Sequence, residues 1–227
     1  MNNAAWNLAE LNSHYLAANR RGSNLTPTLI SSLFRLIEIF RYHLRLTRDS
    51  ANGIFNLEEP GGIDNMLLVF GQSEKQDEFE RTKIVSEANL IGCIHAARGL
   101  FDIFAQLINE LILSPKMRIW QVEIKTVTSK LPACRLKTEL RNLLKSASFK
   151  YVNAFVNTTK HRQLVPHIVH VSFVNNDTGL HLDRFSYGGE SFPTYSIREA
   201  LEVILEVANT LVTAGPLLND HVIRNNH

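Results

Sequence analysis

Glu78–Leu113 reads EFERTKIVSEANLIGCIHAARGLFDIFAQLINELIL, and this run decides the fold. Ile84, Ala88, Ile91, His95, Arg98, Phe101, Ala105, Ile108 and Ile112 recur every three or four residues and form one stripe of a helix. Ile94, Phe104, Leu107 and Leu111 widen that stripe. A helix apolar over so much of its girth belongs at the centre of a bundle. Ser114-Pro115 ends it.

On the N-terminal side, residues 4–19 read as a helix with Trp6, Leu8, Leu11, Tyr15 and Leu16 as its apolar members. A second helix follows to about Arg48, with Thr26 as its cap and Pro27 in its first turn. Its core side is Leu29, Ile30, Leu33, Phe34, Ile37, Phe40 and Leu44. Residues 49–77 are punctuated by Asn52-Gly53, Pro60-Gly61-Gly62 and Gly71, and read as an irregular insertion. Within it, Met66–Phe70 fits a short strand or a helical turn.

On the C-terminal side, residues 118–129 match neither period cleanly and lean towards helix. Arg135 to about Arg162 is helical, in two pieces hinged near Ser146-Ala147-Ser148. His167–Val174 alternates, turns at 175–179 and returns over Leu180–Phe185, so 167–185 reads as a β-hairpin. Ser186–Ser191 reads as loop. Ser196 and Glu199 have the spacing of a capping box for a last helix, which Gly215-Pro216 is expected to stop. The expected fold is therefore mainly α: one helical domain over 1–227, with the hairpin between the motif helix and the last helix.

The 227 residues are 44% hydrophobic and 20% charged, enough apolar content for a proper core. The N-terminus shows no basic segment followed by an apolar run, and Ile103–Leu113 is too short to span a bilayer, so a cytoplasmic protein with no membrane contact is expected. Cys93 and Cys134 read as reduced thiols. The net charge of +2 hides an uneven spread. Lys130–Arg162 holds eight basic residues against Glu139, whereas Glu58–Glu80 holds seven acids against Lys75. The basic segment can face an anion or simply face the acidic one.

On a helix, positions 153, 157 and 161 stack one above another, with 150 and 160 beside them. Lys150, Asn153, Asn157, Lys160 and His161 then form a polar stripe opposite Phe149, Val152, Phe155, Val156 and Thr159. Amides, ammonium groups and an imidazole are the parts needed to hold a phosphate and move a proton, and Arg162 adds a planar fork suited to phosphate oxygens. The plainer alternative is a solvated face whose basic end complements the helix dipole. His161, His167, His170 and His181 are the closest histidine group. His167 and His170 would point to opposite faces of a strand, so no metal site or cofactor is expected.

The segment Phe149–Arg162, with Asn157-Thr158-Thr159-Lys160-His161-Arg162 at its end, resembles the motif helix of the HEPN superfamily, in particular a bacterial branch with an Asn-Thr-x-Lys-His-Arg signature. His95–Asp102 is similar to the long helix of that branch, and the resemblance spans about residues 80–215. It implies a helical bundle that dimerises and binds RNA or nucleotide. Many members of the family are metal-independent RNases. Their motif is an Arg, a polar residue, three further residues and a His. Carried over, Asn157 takes the polar position and His161 the catalytic one, with Lys150, Asn153, Lys160 and Arg162 as the phosphate- or RNA-binding set. His95, Arg98 and Asp102 share one face of the long helix, where they can support the motif helix from behind or form a satisfied polar network of the core. The Arg position holds Val156. The resemblance thus leaves two readings open: RNA or nucleotide binding, with or without His161-dependent cleavage, or an inactive interaction module of a bacterial defence or toxin–antitoxin system.

Overall fold

A computed structural model describes residues 6–18, 24–53, 55, 62–172 and 177–224. It is a mainly α helical bundle with a β-hairpin inserted before the last helix. The helices are α1 (Leu8–Ala18), α2 (Leu25–Asn52), α3 (Ile63–Val69), α4 (Gln76–Leu111), α5 (Ile124–Lys130), α6 (Arg135–Lys145), α7 (Ala147–His161) and α8 (Ile197–Asn219). A 3-10 turn at Ile119–Gln121 precedes α5. Strands β1 (His167–Ser172), β2 (Asp177–Leu182), β3 (Phe185–Tyr187), β4 (Glu190–Phe192) and β5 (Tyr195–Ser196) lie between α7 and α8.

Contacts cluster into two compact units. One comprises 1–38, 96–150 and 205–227, the other 39–95 and 151–204, so α2, α4, α7 and α8 each supply residues to both. In the first unit, Leu11, Leu33, Phe101, Phe104, Ile108, Val127 and Leu140 are fully buried. Trp6 stands edge-on to Phe104, 5.3 Å between ring centroids, and its Nε1 donates to Asn219 Oδ1 at 2.9 Å. In the second unit, an aromatic cluster of Tyr151, Phe155, Phe185, Phe192 and Tyr195 packs at centroid distances of 4.8–6.0 Å. It seats α7 on the strands.

Helix α4 is heavily buried, but its buried face is rotated from the expected stripe. Leu90, Ile94, Ala97, Phe101, Phe104 and Ile108 are buried, while Ile84 and Ala88 are exposed. His95, Arg98 and Asp102 recur along the expected stripe and keep that line at the rim of the core, because a charge buried without compensation is expensive. By length and hydropathy alone, Gln76–Leu111 and Ile197–Arg224 are long and apolar enough to cross a membrane. The core helices of folded domains pass the same test, and more than half of the α4 window is buried within the protein.

The chain breaks between α6 and α7 at Ser146, which is extended (φ −64°, ψ 145°) and whose Oγ accepts from the Phe149 amide at 3.1 Å. The capping box forms as expected: the Ser196 amide donates to Glu199 Oε2 at 2.8 Å, and the Glu199 amide donates to Ser196 Oγ at 3.2 Å. Helix α2 begins one residue before Thr26, with the Asn24 carbonyl accepting from the Thr28 amide, so Thr26 is not its cap. Pro27 still lies among the first amides that need no partner inside the helix.

Four further expectations are corrected. Residues 49–77 are not wholly irregular: α2 continues to Asn52 and α3 occupies Ile63–Val69, whereas 54 and 56–61 fall outside the described residues. The paired hairpin strands are 167–172 and 177–182, with His167 opposite Leu182 and Ser172 opposite Asp177; 173–176 fall outside the described residues, and Phe185 opens a second hairpin, β3–β4. The stretch 186–191 is therefore not loop but a two-residue turn, at Gly188 (φ 62°) and Gly189 (φ 86°), between paired strands. Two positive φ values in sequence suit glycine and match the twist of the flanking strands. Finally, Gly215-Pro216 does not stop α8, which continues to Asn219 and into a π turn at Asp220–Arg224. Tertiary contacts hold the segment in place: the Trp6 ring lies against Gly215, where a Cβ would come within 2.1 Å of Trp6 Cδ2, and Asn219 Nδ2 donates to the Asn7 carbonyl at 2.8 Å.

Candidate functional site

The motif residues end α7, and the helix sorts them by face. Tyr151, Phe155 and Val156 point inwards, while Lys150, Lys160, His161 and Arg162 are exposed. Asn153 and Asn157 are half-buried, and Asn157 Nδ2 donates to the Asn153 carbonyl at 2.8 Å, so part of its amide is used by its own helix. The turn closes with the Arg162 and Gln163 amides both donating to the Thr158 carbonyl, at 2.9 and 3.1 Å.

Arg162 lies just past the helix, and its guanidinium sits 4.9 Å from the centre of the Tyr187 ring. Tyr187 is the last residue of β3, so the second hairpin places an aromatic platform against the end of the motif helix. Sequence reading missed this neighbour. Gly188-Gly189 between two short runs was the available signal.

His95 does meet the motif helix. Its Nε2 is 2.9 Å from Thr159 Oγ1, and that hydroxyl also lies 3.0 Å from the Phe155 carbonyl. A hydroxyl has one proton; with that proton on the carbonyl, Thr159 accepts from His95, which places the imidazole proton on Nε2. Burial, and then the Lys160 ammonium, hold the His95 imidazole below its ordinary 6.5 and favour this neutral donor. His95 thus ties α4 to α7, one residue from Lys160.

Arg98 and Asp102 pair with each other, and Arg98 also lies 5.7 Å from the centre of the Phe149 ring. They support the start of the motif helix rather than its end. Thr158, next to Asn157, is buried, and its Oγ1 has no protein partner.

Val156, five residues before His161, is 4% exposed. Five residues along a helix is a turn and a half less about 40°, so His161 and the Val156 side chain face different ways. Comparison with family models, with curated proteins and with solved structures gives no match to this chain.

Elsewhere, His170 and His181 stack with centroids 4.5 Å apart, and His167 lies on the other face of β1, buried. No group of three or more His, Cys, Asp or Glu side chains among the described residues has metal-binding geometry. Cys93 is buried in α4, and burial pushes its thiol up to about 12, which makes it a packing residue rather than a nucleophile.

Proposed function

We propose that this protein is a HEPN-like RNA-binding protein whose phosphate-facing surface is the C-terminal end of α7, with Lys160, His161 and Arg162 as its contacts. One observation carries this reading. Three consecutive potential cations are exposed, and one of them is fixed over an aromatic ring rather than spread into solvent. The helix dipole accounts for a basic last turn. It does not account for a guanidinium stacked on Tyr187 from outside the helix. A stacked guanidinium keeps its edge donors directed outwards, the geometry in which Arg grips phosphate oxygens.

Binding is favoured over cleavage because the position of the family's Arg is filled by a core valine, and a valine binds no phosphate. His161 then serves as a contact, and Lys160 and Arg162 supply the charge. Salt-titrated binding to single- and double-stranded RNA tests this. Lys160→Ala and Arg162→Ala should each weaken binding and lower the slope of log K against log salt by about one. Wild-type affinity in both variants, or no RNA binding by the parent, would leave the interaction-module reading standing. RNA cleavage that survives chelator and disappears in His161→Ala would show that the protein is an enzyme and overturn the binding-only form of the proposal.

A further inference from the structure

Tryptophan is mostly buried in folded proteins, yet Trp120 is 73% exposed and its neighbour Ile119 is 62% exposed. They form the tip of the 3-10 turn between α4 and α5. The turn is held from beneath by side chains of α4. Asn109, itself 1% exposed, clamps Met117 on both sides: its Nδ2 donates to the Met117 carbonyl at 3.2 Å, and its Oδ1 accepts from the Met117 amide at 2.8 Å. Gln106 Nε2 donates to the Ile119 carbonyl at 3.1 Å. A buried asparagine spent on fixing an exposed apolar tip gives that tip a single presentation, so a ligand would meet it without first ordering the loop.

The chemistry around the tip selects among occupants. The Arg118 guanidinium lies 5.5 Å from the centre of the Trp120 ring, and Glu123 and Lys125 are exposed further along the chain. Two side chains are far too little area for a stable protein interface, which needs roughly 800 Å² per partner. A single aromatic plane beside a guanidinium suits a smaller, repeated unit: an unpaired base stacked on the ring, with its phosphate at the Arg118 fork. Bases inside a duplex do not offer their faces in this way. We infer that the Ile119–Trp120 turn is a stacking platform for single-stranded RNA, with Trp120 taking a base and Arg118 the adjacent phosphate. The inference rests on the RNA-binding reading above and adds a second contact with a strand preference.

Trp120 reports its own occupancy. The chain has two tryptophans, and Trp6 is packed on Phe104 with its Nε1 bonded. Short oligouridylate and oligoadenylate, titrated into the full chain, should quench Trp120 emission, whereas a duplex of the same length should not. Trp120→Ala should bind the single strands about five- to 150-fold more weakly, and Trp120→Phe should recover part of that loss. Trp120→Leu, which keeps apolar bulk without a ring face, should behave like Trp120→Ala, and circular dichroism of each variant verifies the fold. Oligonucleotide binding that is weakened by Lys160→Ala but is indifferent to Trp120→Ala, with Trp120 emission unchanged, would overturn the platform and leave the α7 reading intact. A parent that binds no RNA would overturn both. A blue shift on phosphatidylglycerol vesicles with no response to oligonucleotides would overturn the platform in favour of a lipid surface.

Discussion

At the scale of single residues, His167 shows how strongly burial changes chemistry. It is 6% exposed, and neither ring nitrogen has a protein partner. Desolvation, then the nearby charges of Lys83 and His181, lower it from 6.5 to about 4. Between those values the unfolded chain takes up a proton that the folded chain refuses. The stability that depends on neutral His167 is therefore complete above about pH 6.5, falls as pH drops through the window, and levels off below about pH 4. The loss should be on the order of 3 kcal/mol. Denaturant titrations across that range should show the slope in the parent and a flatter one in His167→Leu; equal slopes would reject the assignment. The sequence marks His167 as a strand residue in a loose histidine group, not as a buried one. Its burial depends on what β1 packs against, which no local pattern encodes. His161, by contrast, is legible as the exposed end of an amphipathic helix, and the structure leaves it exposed.

At the scale of elements, the caps and breaks are the best-read features. Ser196–Glu199 and the Ser146 break are set by hydrogen bonds within three residues, so their signals are local. Ser196→Ala removes the acceptor for the Glu199 amide and should cost about 1 kcal/mol, read as a lower melting temperature with unchanged helix content. No change in melting temperature would mean that β5 pairing alone fixes the start of α8. The rotated face of α4 and the second hairpin were harder to read. The chain carries apolar residues on two candidate stripes of α4, and packing against neighbours chooses between them. β3 and β4 are three residues each, too short to display alternation. Arg162 therefore found its platform, Tyr187, only in three dimensions.

At the scale of the whole molecule, one tie joins residues more than two hundred positions apart: Trp6 and Asn7 meet Gly215 and Asn219. Gly215→Ala should destabilise by about 1–3 kcal/mol, because a Cβ there intrudes on the Trp6 ring. A parent-like midpoint in equilibrium unfolding would show that the indole moves aside freely. Local rules place a helix stop at Gly215-Pro216, since proline lacks the amide that the fourth preceding carbonyl would accept. The contacts made by Trp6 and Asn219 outweigh that local preference, and α8 continues. The sequence by itself determined the mainly helical class, the order of the long helices, the capped ends and the basic polar face of α7. These follow from hydrophobic period and from hydrogen bonds between near neighbours. Only the tertiary structure decided which face of α4 is buried, that α8 survives its proline, and that an aromatic ring stands beneath Arg162. Each of those depends on contacts between residues distant in the chain, whose free energies rival local propensities and are invisible to them.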